Sequence, residues 1–155
     1  MGFFTAITGQ DFRDEEYLET LNYCLLKIRD KADEMGVNLN DYYNTSNANS
    51  FQEESILFFL ANAAITAHNK EHNMLKMPAR DQKALSKILN EFLRSNGIRG
   101  MDLKSTFRAL KGTATQGAFG KKYALAYKHK MYDPDEVMTS FVQSLVDEIP
   151  YGDKY

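Results

Sequence analysis

Two histidines four residues apart with an acid between them, His68-Asn69-Lys70-Glu71-His72, form the pattern in this chain that most directly suggests a reaction. On a helix, residues i and i+4 share a face, so both imidazoles can reach one zinc ion while the acid serves as a base toward bound water. A third ligand must come from elsewhere in the chain, and Glu136 and Glu148 are the candidates.

The order His-x-x-Glu-His resembles that of inverted zinc peptidases, which carry it within a larger α/β domain that this chain does not resemble. Here the motif lies where an apolar helix turns hydrophilic, which explains its polar residues without a metal. His68 and His72 are metal candidates by spacing alone. A zinc hydrolase using His68, Glu71 and His72 is the minor alternative to a chain without catalysis or cofactor. Di-iron chemistry in a bundle needs two Glu-x-x-His pairs, and the sequence has none. No serine sits in a Gly-x-Ser-x-Gly elbow. The pairs Glu15/Glu16 and Glu53/Glu54 fall at helix starts, where the dipole accounts for them. Cys24 is the single cysteine, which excludes an internal disulfide and reads as a small apolar helix residue.

Charge is a second candidate. The net charge of −2 conceals a strong segregation: residues 94–130 hold nine basic side chains (Arg94, Arg99, Lys104, Arg108, Lys111, Lys121, Lys122, Lys128, Lys130) against Asp102 alone. Residues 1–56 hold four basic and eleven acidic, and residues 131–155 one and six. So dense a positive block repels itself unless an anion is near. Lys104, Arg108 and Lys111 recur at three and four residues, opposite Leu103, Phe107 and Leu110. Lys121, Lys128 and His129 repeat the pattern beside Tyr123 and Tyr127. Between them, residues 112–120 carry three glycines and read as a flexible loop whose free N–H groups can approach phosphates. The loop lacks the Gly-Lys-Ser/Thr ending and the preceding strand of a P-loop.

A phosphate-backbone surface is therefore expected over Arg99, Lys104, Arg108, Lys111, Lys121, Lys122, Lys128 and Lys130, with Tyr123 or Phe119 stacking on a base. The alternatives are a basic protein-docking surface and solvated faces paired with the acidic segments. Exposed pairs of that kind contribute only ~0–1 kcal/mol each, a weak reason for such a block.

These residues need helices to position them. Tyr17, Leu18, Leu21, Cys24, Leu25, Ile28, Ala32 and Met35 predict a helix from Asp14, stopped by Gly36. Residues 37–49 form an Asn-rich loop, and Ser50 with Glu53 a capping box. The run from Ile56 to Ala67 is apolar nearly all round and predicts a central buried helix at about 51–72. Pro78 at N1 opens a third helix, which buries Leu85, Ile88, Leu89, Phe92 and Leu93 and ends at Gly97. A short fourth spans 102–110. A fifth spans 121–132, with Tyr123, Tyr127 and Met131 on one face. Asp133-Pro134-Asp135-Glu136 starts a sixth, whose stripe is Val137, Met138, Phe141, Val142, Leu145 and Ile149.

No stretch alternates with period two, so the expected fold is all-α, an irregular bundle of about six helices around the central one. The length of 155 residues and hydrophobic content of 43% suit one domain. An apolar arm at 1–10 precedes it and a short tail at 150–155 follows. No apolar run approaches the ~20 residues of a membrane span, and the first residues lack a basic signal-peptide region, so a cytoplasmic location is expected. The expected partners are DNA or RNA, or a larger protein or ribonucleoprotein complex. The leading reading is a non-catalytic nucleic-acid-associated accessory protein. The alternative is a protein-interaction or inhibitor module that sets its acidic faces against a partner, in the manner of a nucleic-acid mimic.

Overall fold

The computed structural model describes residues 10–37, 51–97 and 115–147, and within them the chain is helical with no strand. Five helices are present among the described residues: α1 (Gln10–Glu34), α2 (Phe51–Glu71), α3 (Ala79–Ser95), α4 (Thr115–His129) and α5 (Pro134–Asp147). The helix expected at 102–110, the Asn-rich loop, residues 1–9 of the arm and the tail at 150–155 lie outside the described residues.

Helix ends follow local chemistry. At Gly36 (φ +74°), the Gly36 N–H donates to the Asp33 carbonyl (3.2 Å) and the Val37 N–H to the Ala32 carbonyl (2.7 Å), closing α1 with a Schellman motif. Asn73 (φ +54°) does the same for α2, its N–H reaching Lys70 (3.3 Å) while Met74 N–H reaches Asn69 (2.7 Å). Pro78 stands one position earlier than expected: it is the N-cap of α3, and its carbonyl accepts from the N–H groups of Asp81 and Gln82. At α5, the Asp133 carboxylate accepts from the Asp135 N–H at 3.0 Å, the cap that the sequence predicts.

The core joins the predicted stripes. Tyr17, Leu21, Cys24, Leu25 and Ile28 of α1 meet Ile56, Leu57, Phe59, Leu60 and Ala63 of α2, with Leu85, Leu89 and Phe92 of α3 and Met138, Phe141 and Val142 of α5. Burying a side chain of this size contributes about 1.5–3 kcal/mol. Helix α2 packs against each of the other four, most extensively against α4. Leu18, placed on the buried face of α1 by its spacing, is exposed instead.

The largest departure from expectation concerns the glycine-rich segment. Residues 115–120 are not loop but the first turns of α4, which ends at His129 rather than 132. Gly120 lies directly against the α2 backbone: a Cβ there would fall inside contact distance of the Phe59 carbonyl oxygen and 2.8 Å from the Phe59 carbonyl carbon. At Gly117 a Cβ would stand 2.6 Å from Asn62 Nδ2. Close helix packing, rather than phosphate binding, explains these two glycines. Met131, expected to share a helix face with Tyr123 and Tyr127, lies beyond the helix end and is exposed.

Candidate functional site

Two regions bring together side chains capable of chemistry or binding. The first spans α1 and α4. Tyr23 and Tyr127 stack with ring centroids 4.4 Å apart and planes 23° from parallel. Lys27, one turn beyond Tyr23, places Nζ 5.5 Å from the Tyr23 ring, and Lys128 places Nζ 6.0 Å from the Tyr127 ring. Lys27, Tyr23, Tyr127 and Lys128 thus form a continuous cation–aromatic row, with Tyr23 36% exposed.

Lys121, Lys122 and Lys130 are exposed on or just after the same helix, where Lys122 Nζ lies 5.9 Å from the exposed Tyr132 ring. Among the described residues none of Lys121, Lys122, Lys128 and Lys130 makes an ion pair. An acid of α5 meets α1 instead: Asp135 accepts from Lys31 Nζ at 2.6 Å, beside Glu34 at 3.2 Å. That contact with Asp135, reinforced by Glu34 against some desolvation, raises the Lys31 pKa. Lys122 does share a shallow groove of about 510 Å³ with Asp135, Glu136 and Phe119.

Tyr123, expected to stack on a base, is only 3% exposed and packs between Tyr23 and Phe59 (ring centroids 6.4 and 5.7 Å). Burial, with Tyr23 beside it, raises its hydroxyl pKa; burial, with Cys24 beside it, raises that of Tyr127. Tyr23 is the exposed ring of this stack. The sequence reading missed it because it falls in the acidic first helix, away from the basic block. Arg99, Lys104, Arg108 and Lys111 lie outside the described residues.

Burial pushes the Cys24 thiol up to about 12, opposed only in part by the neighbouring Tyr127 hydroxyl and the Lys128 charge. A thiol so shielded is inert at neutral pH.

The second region joins the start of α1 to the end of α2. His68 is buried, with its ring 5.4 Å from Tyr17 and 4.5 Å from His72. Glu16 reaches across from α1: its Oε2 lies 2.9 Å from His72 Nε2, and its Oε1 lies 3.8 Å from His68 Nδ1. One ligand atom from each of the three residues falls within 4.8 Å of the other two. The carboxylate beside the histidine pair is therefore Glu16. Glu136 lies in the groove with Lys122, and Glu148 is outside the described residues. Glu71, expected as a base, is exposed.

A cavity of about 760 Å³ separates the end of α2 from the start of α3, lined by Ile65, Asn69, Leu75, Met77 and Gln82 among others. It carries no acid, histidine or cysteine. No helix among the described residues is long and apolar enough to cross a membrane. The chain matches no protein-family model, no curated protein and no solved structure.

Proposed function

We propose that this chain is a non-catalytic, cytoplasmic accessory protein that binds a nucleic-acid backbone through the lysines of α4 and the adjoining Lys27–Tyr23 face of α1. One observation carries the reading: Lys121, Lys122, Lys128 and Lys130 make no ion pair among the described residues, while the exposed Tyr23 ring stacks on Tyr127, over which Lys128 lies. Such a face matches the combination by which proteins hold single strands, cations along the backbone and a ring for a base. Lys104, Arg108 and Lys111 extend the positive charge in sequence.

A labelled single-stranded oligonucleotide titrated across a salt series tests it. Each phosphate contact contributes a slope of roughly −0.7 in log affinity against log salt for a single strand. The triple variant Lys121/Lys122/Lys128→Ala is expected to flatten that slope by about 2. An affinity indifferent to salt, or a triple variant that binds as well as the parent, rejects the proposal.

A second reading is favoured by α1, where Leu18 and Leu26 are exposed eight residues apart beside Glu15 and Glu19. An apolar strip edged with acids fits a protein partner with a basic rim. Leu18→Asp with Leu26→Asp would abolish such binding while leaving oligonucleotide affinity unchanged.

A further inference from the structure

The geometry points to a divalent transition-metal site, zinc being the preferred ion, formed by Glu16 of α1 with His68 and His72 of α2 and bracing the two helices together. It uses neither the lysines nor the tyrosines of the proposed nucleic-acid face.

Three observations converge on it. The donor set is two imidazoles and one carboxylate, a combination that suits zinc and other first-row divalent ions. The spacing fits: tetrahedral zinc with bonds of about 2.0–2.1 Å needs its ligand atoms about 3.4 Å apart. A single oxygen, Glu16 Oε1, stands 3.2 Å from His72 Nε2 and 3.8 Å from His68 Nδ1, on either side of that value. The ligand atoms all lie within 4.8 Å of one another, so side-chain shifts of at most about 1.4 Å complete the geometry.

Burial is graded in a way that suits capture. His68 is almost wholly enclosed against Tyr17, so its ring is held in place before any ion arrives. His72 is half-exposed and caps the end of α2, giving an ion a route in from solvent. Glu16 is partly shielded between them and supplies negative charge. The remaining coordination position falls to water. Three protein ligands plus water is also the arrangement of catalytic zinc, but the role inferred here is to tie α1 to α2, with no reaction step assigned.

Because α1 and α2 are joined by a long segment, an ion that binds only their assembled ends stabilises the fold by mass action. Ligands must be deprotonated to bind, so affinity falls on acidification.

The full chain without an affinity tag, stripped with chelator, is titrated with zinc chloride by calorimetry and followed by thermal melting at neutral pH. One equivalent is expected to bind with micromolar or tighter affinity and to raise the melting temperature. Glu16→Gln and His72→Ala, both at partly exposed positions, should each weaken binding at least tenfold and remove most of the thermal shift. Cobalt substitution should give the visible absorption of a four-coordinate ion in the parent and lose it in both variants. His68→Ala is unsuitable alone because its burial threatens folding, whereas the other two variants and the cobalt spectrum do not depend on it. Absence of saturable one-to-one binding, or retention of parent affinity in either variant, overturns the inference.

Discussion

Glu16 and His72 meet at 2.9 Å although 56 residues separate them, joining the beginning of α1 to the last turn of α2. Both side chains remain partly in water, so without a metal their attraction is screened. A double-mutant cycle with Glu16→Gln and His72→Ala in chelator is expected to give a coupling below about 1 kcal/mol. A larger value would mean that the pair stabilises the fold by itself.

The two glycines of α4 should respond differently to alanine. At Gly120 the added methyl meets the backbone of α2, which cannot rotate away. Overpacking costs about 1–3 kcal/mol, and the better helix propensity of alanine returns about 1 kcal/mol, so a net loss is expected. At Gly117 the obstacle is the Asn62 amide, a side chain that can turn aside by giving up its 2.9 Å hydrogen bond to the Phe58 carbonyl, a loss of about 1 kcal/mol that the helix propensity of alanine offsets. That variant should lie close to the parent. Urea midpoints at constant slope read both.

Alkaline pH should destabilise the protein through its core. An unfolded Cys24 ionises near its ordinary pKa of 9.0, whereas the folded thiol resists until about 12. Its contribution is complete below pH 9 and is lost as pH rises toward 12, by up to about 4 kcal/mol. Tyr123 and Tyr127, also raised, and Lys31, whose charge favours the fold, act with the same sign. Unfolding free energy measured from pH 8 to 11 should fall steadily. At pH 8 the native thiol should resist alkylation until denaturant is added.

Tyr23 and Tyr123 should separate binding from stability. Loss of one base-stacking ring costs about 1–3 kcal/mol of affinity, so Tyr23→Ala is expected to weaken oligonucleotide binding about five- to 150-fold. Tyr123→Ala removes a core ring and should cost about 3–5 kcal/mol of stability. Tyr123→Phe, which keeps the ring, should bind as the parent does. Equal binding losses in Tyr23→Ala and Tyr123→Phe would contradict the assignment.

Removing the α5 cap with Asp133→Ala should lower stability by about 1 kcal/mol, read by thermal or urea denaturation. The Asp135 N–H then loses its 3.0 Å partner at the helix end that also holds Lys31.

Much of this architecture was legible because helical periodicity is a local signal. Tyr17, Leu21, Cys24, Leu25 and Ile28 mark the buried face of α1, and Val137, Phe141, Val142 and Leu145 that of α5, by spacing alone. Gly36 and Asp133 mark ends through backbone chemistry that acts over a few residues. Residues 115–120 misled because glycine's poor helix propensity is a weak prior, overridden when α2 offers a surface that only a residue without a side chain can approach. Tyr123 misled for a related reason. Flanking lysines suggest exposure, but one residue along a helix turns about 100°, from solvent at Lys122 to core at Tyr123. The pairing of His68 and His72 followed from their four-residue spacing. Glu16 did not, because nothing local links the start of α1 to the end of α2.

The contact at Gly120 acts as an indexing notch between α2 and α4. Its neighbours Phe119 and Lys121 both carry a Cβ, so sliding α4 by one residue in either direction would jam a side chain against Phe59. The contact thus resists a one-residue slip, and it holds the roll of α4 as well as its height. The compass bearing of Lys121 and Lys128, about a quarter-turn away, and of Lys122, nearly opposite, is thereby set by an atom that glycine lacks.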